Sequence, residues 1–414
     1  MIWENYVFRR GVEVEELWEQ MFEARRKSNT PIRLLYVAGR GFDLRANIVI
    51  DKFLTRVLES GCEIAEANLI LVGFSGYELS EELKAQTQTN VDTIASSFSR
   101  IGQCETLIID EDPDDEEELT SSMALRRGAD KILSHVSEQT DIVLDVSSLP
   151  RIAYLTILLA LLAKVLSSDE SSPDLYAKGI TLQVLVGEDV PLDNQISSED
   201  PSNDLVMIPG YSEALQSEAS RDTPLVWFPI LGENRLGQLR KVESVIPGDA
   251  EICPVLPQPS CDPRRGDRLL VEYAGSVSIP LGNIMYAHEA HPFEAYRQLL
   301  GAMLRYRKSL SMIGGCRIVV TPLASKLITI GSALACYEMK LCSADRRSSV
   351  AIPYAEPKRY VANVQALRDT RPEISALVLT GDAYQHPREC DGRDLVQESK
   401  PQLDGDTINV LPEH

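Results

Sequence analysis

Positive charge is scarce in this chain. Its 414 residues carry 41 lysines and arginines against 62 aspartates and glutamates, a formal net charge of −21. That balance excludes the basic footprint that general nucleic-acid or anionic-membrane binding requires, and leaves only a local basic groove for such a role. Long apolar runs are missing too. The longest, Ile152 to Leu162, is shorter than a membrane span and contains Tyr154 and Thr156, so it reads as a buried helix. The N-terminal stretch lacks the charged-then-apolar pattern of a secretory leader. No two of the eight cysteines form C-x-x-C, and none has a histidine at zinc-finger spacing. Cys316, Cys336 and Cys342 sit in an apolar unit where buried free thiols are common, and a reducing cytoplasm is the expected location.

Several catalytic and cofactor signatures are absent as well. There is no G-x-G-x-x-G, no G-x-x-x-x-G-K-[ST] and no G-x-S-x-G, which removes the usual dinucleotide, P-loop and nucleophile-elbow readings. His288-Glu289-Ala290-His291 has metal-ligand residue types but lies in a loop without a third partner, so no metal is expected. The acidic stretch Asp110 to Glu118 reads as a solvated loop.

What the chain does have is a repeated unit. Ile142 to Val146 is a short apolar strand, broken by Ser147-Ser148-Leu149-Pro150-Arg151, and a long apolar helix follows. The same order recurs at Arg317 to Val320, with the turn Thr321-Pro322-Leu323-Ala324-Ser325-Lys326 and another apolar helix. Such a unit brings backbone N–H groups and a helix N-terminus to one point in space. Each turn carries hydroxyls and ends in a cation, Arg151 or Lys326.

Around these units the elements alternate. Strands are predicted at Ile32–Ala38, Leu69–Gly73, Glu105–Ile109 and Ile180–Val186, and in the second half at Leu225–Leu231, Ile252–Leu256, Asn283–Ala287 and Val350–Tyr354. Alternation with helices implies right-handed crossovers and parallel pairing. The fold class is therefore α/β, two tandem Rossmann-like three-layer modules with mainly parallel sheets. The expected division is a helical extension over 1–30, a first module over 31–190, a linker over 191–223, a second module over 224–380 and a disordered tail over 381–414.

In open parallel sheets ligands bind beyond the carboxyl ends of the strands, at the switch of strand order. In the first module this gathers Gly39, Arg40, Gly41, Asp43, Arg45, Ser147, Ser148 and Arg151. In the second it gathers Gly232, Glu233, Asn234, Ser325 and Lys326, with Arg264 and Arg265 at the rim. Glycines admit a ligand close to backbone, hydroxyls and N–H groups hold an anion, and arginine grips phosphate bidentately. The same serines and prolines also serve as ordinary helix caps, and both roles stay open on residue type alone.

Val319 to Glu338, VVTPLASKLITIGSALACYE, resembles CRISPR-associated Rossmann-like (CARF) ligand-sensing domains of bacterial defence systems. In that family a turn with hydroxyls and a lysine after the fourth strand faces a first-strand loop, and the two cradle a nucleotide messenger. Ser325 and Lys326 match the end of that turn and Gly232 to Asn234 match the loop, with Pro322-Leu323-Ala324 standing where the family has glycines. The resemblance implies a cytoplasmic regulatory protein that binds a phosphorylated ligand, a nucleotide, without a resident cofactor, and that acts through a protein partner or an oligomer. Two other readings remain: an enzyme of nucleotide or phosphoester metabolism, and an interaction scaffold.

Overall fold

A computed structural model describes residues 1–75, 77–109, 121–166, 173–193, 196–218, 221–274, 280–342 and 349–385. The acidic stretch 110–118 and the tail beyond 385 lie outside them. The first half contributes β1 (Val7–Arg10), β2 (Ile32–Gly39), β3 (Ile64–Phe74), β4 (Gln103–Ile109), β5 (Asp141–Asp145) and β6 (Thr181–Glu188). Then come β7 (Ser197–Ser212), β8 (Leu225–Ile230), β9 (Glu251–Ile252), β10 (Val255–Pro257), β11 (Met285–Ala287), β12 (Arg317–Pro322), β13 (Val350–Val361) and β14 (Glu373–Thr380).

They form two seven-stranded sheets. The first has the order β1-β14-β6-β5-β2-β3-β4 and the second β11-β10-β8-β12-β13-β7, with β9 beside β8. Within each, the parallel strands follow one plan: the first and fourth of the module are neighbours, β2 with β5 and β8 with β12. Strand order thus reverses at the same place twice, and the two modules are topological repeats. Strands β2, β5, β8 and β12 are buried almost throughout, as continuous apolar strands covered on both faces must be.

Helices α1 (Glu13–Ser28), α2 (Arg45–Glu59), α3 (Glu81–Phe98), α4 (Ser121–Leu133) and α5 (Arg151–Val165) belong to the first half. The short α6 (Val190–Asp193) and α7 (Glu213–Gln216) flank β7, and α8 (Leu236–Glu243), α9 (Arg265–Tyr273), α10 (Pro292–Ser309), α11 (Lys326–Leu341) and α12 (Val364–Arg368) follow. Helix α5 is apolar all round, and eleven of its residues are buried. The reason is its place between the modules. It packs against α4 of the first module and against α11 and β7 of the second, with Tyr337 Oη donating to the Leu162 carbonyl at 3.2 Å. One apolar core runs from Leu144 and Leu158 to Val319 and Leu334, and Met1–Tyr384 is one compact unit. No described helix is long and apolar enough to cross a membrane.

Four expectations change. Residues 1–30 are not simply helical, because β1 pairs antiparallel with β14 at the edge of the first sheet. The stretch 191–223 is more than a linker, because about half of it is the strand β7, antiparallel to β13 at the edge of the second sheet. The last strand, β14, returns to the first sheet and pairs antiparallel with β6, so 224–380 is not one sheet's worth of chain. The turn after it, Asp382–Tyr384, stays attached, with Tyr384 Oη donating to the Val378 carbonyl at 2.7 Å. Of the three cysteines in the apolar unit, Cys316 and Cys336 are buried and Cys342 is exposed.

Candidate functional site

Both fourth-strand turns and both first-strand loops open onto a single cavity of about 370 Å³ between the modules. Two crevices were expected; the modules face each other and share one. The loops reach it because glycine allows two backbone approaches. A Cβ on Gly39 would stand 2.6 Å from Ser148 Oγ, and one on Gly232 would overlap the Leu323 carbonyl. Each glycine therefore lets its first-strand loop press on the neighbouring fourth-strand turn.

The two turn cations occupy the first helical position of α5 and α11. Neither grips its own turn. Arg151 crosses the cavity wall and donates to the Pro322 and Ala324 carbonyls at 2.7 and 2.5 Å. Lys326 crosses the other way and donates to the Ser147 carbonyl. The exchange braces one module against the other. Neither helix has a side-chain cap, so its first N–H groups are not taken up by the serines. Ser147 Oγ instead accepts from Gly187 N at 2.8 Å, Ser148 Oγ donates to the Gly39 carbonyl at 3.1 Å, and Ser325 Oγ donates to the Glu289 carbonyl at 3.3 Å.

The lining is mixed rather than cationic. Six basic residues, Arg40, Arg45, Arg151, Arg235, Arg265 and Lys326, meet five acidic ones, Asp43, Glu188, Asp193, Glu233 and Glu289. Arg45 is taken up by Asp43 in a bidentate pair, with Nη2 at 2.6 Å from Oδ2, and by Asp193 at 2.6 Å. Arg265 pairs with Glu289, and lies 3.4 Å from Glu233. These two arginines hold the walls. The Arg40 backbone N–H donates to the Val72 carbonyl at 2.7 Å, but its guanidinium has no hydrogen-bond or ion-pair partner among the described residues, and the side chain borders the cavity half-buried. Arg264 stands exposed at the N-cap position of α9 without a side-chain cap, and Gly39 lies behind the wall; neither borders the cavity. Asn234 borders it with a left-handed φ of 59°, its N–H held by Glu272 at 2.8 Å.

Burial shifts the charges that surround this wall. Burial pushes the Lys326 ammonium down to about 8, aided by Arg45 and opposed by Asp43, Asp193 and Asp145. Asp145, fully buried beneath the Ser147 turn, is pushed up to about 6 by burial, against the hydrogen bonds from Ser147 and Tyr36. Glu188 rises to about 7 through burial, although Arg10 lies 3.5 Å away. Asp43 goes the other way: burial raises it, but the charge and hydrogen bonds of Arg45 outweigh that and hold it low.

One wall is aromatic. Phe42, Phe74, Tyr77, Tyr154, Tyr354 and Tyr360 all border the cavity. They meet because β13 runs past its expected end at Tyr354 and bridges to the first module, with Glu78 N donating to the Lys358 carbonyl at 2.9 Å. That brings Tyr360 edge-on to Tyr77, with ring centroids 5.1 Å apart, and 6.3 Å from Phe42. Tyr77 Oη donates to Glu356, which burial pushes up to about 7. The alternating strand pattern stops being apolar after Tyr354, so the sequence carried no sign of this extension. Glu188 and Asp193 were equally hidden, since they follow a fifth strand that sequence order alone does not aim at the cavity. Among the described residues no group of histidine, cysteine and carboxylate side chains is arranged to hold a metal, and His288 and His291 are taken up with other partners.

No family model matches this chain, and no curated protein does. A solved structure, a functionally unknown protein PA1789 from Pseudomonas aeruginosa PAO1, aligns over 83% of this chain and 96% of its own at 8% identity. The TM-score of that alignment is 0.20, too low to bear on fold or function.

Proposed function

We propose that the chain is a regulatory protein of a bacterial defence or signalling system and binds a phosphorylated ligand, a nucleotide, in the cavity between its modules. The observation that carries this reading is the cavity's composition. One arginine whose guanidinium finds no partner among the described residues, Arg40, and two uncapped helix N-termini meet a wall of six aromatic rings in about 370 Å³. Helix N-termini and arginine favour phosphate, and rings favour a nucleobase. The volume falls in the range of small-molecule sites. The CARF resemblance at Val319 to Glu338 supports the same ligand class. Because the cavity is bounded by both modules, a ligand that prefers one separation of them would shift their arrangement and pass that shift to a protein partner.

A thermal-shift panel of mono-, di- and cyclic nucleotides tests it. A ligand at a hundred times its Kd stabilises the folded chain by about 2.7 kcal/mol. Stabilisation by at least one nucleotide that Arg40→Ala abolishes supports the reading, and a flat panel opposes it.

A second reading, a phosphoester hydrolase, has one observation in its favour. Glu188 borders the cavity with its carboxyl raised to about 7, the range of a general base. Unchanged nucleotide after prolonged incubation separates the sensor from the enzyme.

A further inference from the structure

The loop His288–His291, between β11 and α10, faces two ways. Glu289 borders the cavity, pairs with Arg265 and accepts a hydrogen bond from Ser260 Oγ. The imidazole of His291 faces the N-terminal segment instead, where Tyr6 Oη lies 3.2 Å from its Nε2 and the Phe8 ring lies 4.9 Å from its own.

That segment is a strap between the modules. Trp3 is fully buried, 5.6 Å from Tyr296 and 6.2 Å from Tyr337, and its Nε1 donates to the Leu379 carbonyl at 2.9 Å. Tyr6 stacks on Phe293 with centroids 4.6 Å apart, and Arg297 donates to the Glu4 carbonyl at 2.6 Å. The chain then enters the first sheet as β1, where Arg10 reaches Glu188 on the cavity wall. The β1 end of the strap therefore abuts the cavity at Glu188, while its Trp3 end is anchored away from the cavity on Tyr296, Tyr337 and Leu379.

The protonation state of the loop is fixed by geometry. His291 Nδ1 accepts the Glu294 N–H at 3.2 Å, capping α10, and His288 Nδ1 accepts the Ala290 N–H at 3.2 Å. A backbone N–H only donates, so both Nδ1 atoms are bare and both rings are neutral with the proton on Nε2. His291 Nε2–H then donates to Tyr6 Oη.

We propose that this loop is an acid-sensitive latch on the strap: protonation of His288 and His291 at Nδ1 removes both backbone acceptors, releases residues 1–8 from α10 and loosens Glu289 at the cavity. The surroundings set the direction. The two rings lie 5.9 Å apart. For His288, burial and Arg10 oppose protonation and Glu294 favours it. For His291, burial, His288 and Arg297 oppose it, and Glu294 and a backbone hydrogen bond at His291 itself favour it. Both imidazoles are held below their ordinary value. A released strap takes up protons more readily than a docked one, so docking is complete above about pH 6.5 and is lost as pH falls below that. Control of the cavity by this latch rests on its being a ligand site; the latch itself does not.

The test uses the full chain without nucleotide, so its failure and that of the ligand reading are separate. Hydrogen exchange of residues 1–10 is measured at pH 7.5 and 5.5 and corrected for the intrinsic rate. The wild type is compared with His288→Asn/His291→Asn, whose Oδ1 atoms accept the same N–H groups without titrating. The expected result is a loss of protection of about tenfold or more in the wild type and of less than about threefold in the double variant. Equal protection of the wild type at both pH values overturns the latch, as does an equal loss in the double variant. The imidazole C–H resonances of the wild type give a reading that needs no variant: midpoints at or above about 6.5 for both rings overturn it.

Discussion

Replacing Arg151 with alanine should weaken the whole fold, although the side chain sits beside a cavity. Its guanidinium gives two charge-assisted hydrogen bonds to the Pro322 and Ala324 carbonyls and lies 5.6 Å above the Tyr354 ring. Removing it leaves two carbonyls without those donors, each costing about 1–3 kcal/mol when buried. Water from the adjoining cavity offsets part of that, so about 2–4 kcal/mol is expected in all. Arg40→Ala is the control. It borders the same cavity without a guanidinium partner among the described residues and should change stability by no more than about 0.5 kcal/mol. Urea denaturation followed by far-ultraviolet circular dichroism reads both. Because one apolar core spans the modules, a single transition is expected, with its midpoint lowered in Arg151→Ala and unmoved in Arg40→Ala. Equal midpoints for wild type and Arg151→Ala would refute the idea that exchanged cations brace the two modules.

Other outcomes follow from the same geometry. Gly232→Ala places a Cβ against the Leu323 carbonyl and should cost about 1–3 kcal/mol or more, measured by the same denaturation. Asp145 has a raised folded pKa of about 6, so its contribution is complete below about pH 3.9 and is lost as pH rises through 6. Asp145→Asn should therefore flatten the decline in stability between pH 4 and 7 by up to about 3 kcal/mol, read from denaturation midpoints across that range. This trend runs opposite to that of the histidine latch, which is why the latch is read locally at residues 1–10.

The parts of this fold that announce themselves are those buried on both faces. Strands β2, β5, β8 and β12 read as apolar runs, and the hydroxyl-plus-cation turns after β5 and β12 mark their helix starts. Thirteen of the fifteen residues singled out from those loops border one cavity, and only Gly39 and Arg264 do not. What residue order does not encode is how two modules face each other. Arg151 and Lys326 looked like phosphate ligands, but each finds a carbonyl on the opposite module first. The same limit hid the place of β14, a strand expected in the second sheet whose partner β6 lies almost two hundred residues earlier, and of Tyr360, which meets Tyr77 only because β13 crosses between modules. The polar strand β7 was obscured for another reason: it is an edge strand, paired on one side only, and its sequence lacks the apolar run that marks a central one.

The most direct measurement is equilibrium dialysis of the purified chain against radiolabelled nucleotides, with wild type and Arg40→Ala side by side. Saturable binding of one nucleotide per chain, weakened about tenfold or more by the substitution while the denaturation midpoint stays put, is the predicted result. Binding that is equal in both proteins, or absent from the wild type across mono-, di- and cyclic nucleotides, would contradict a phosphate site in the cavity between the modules.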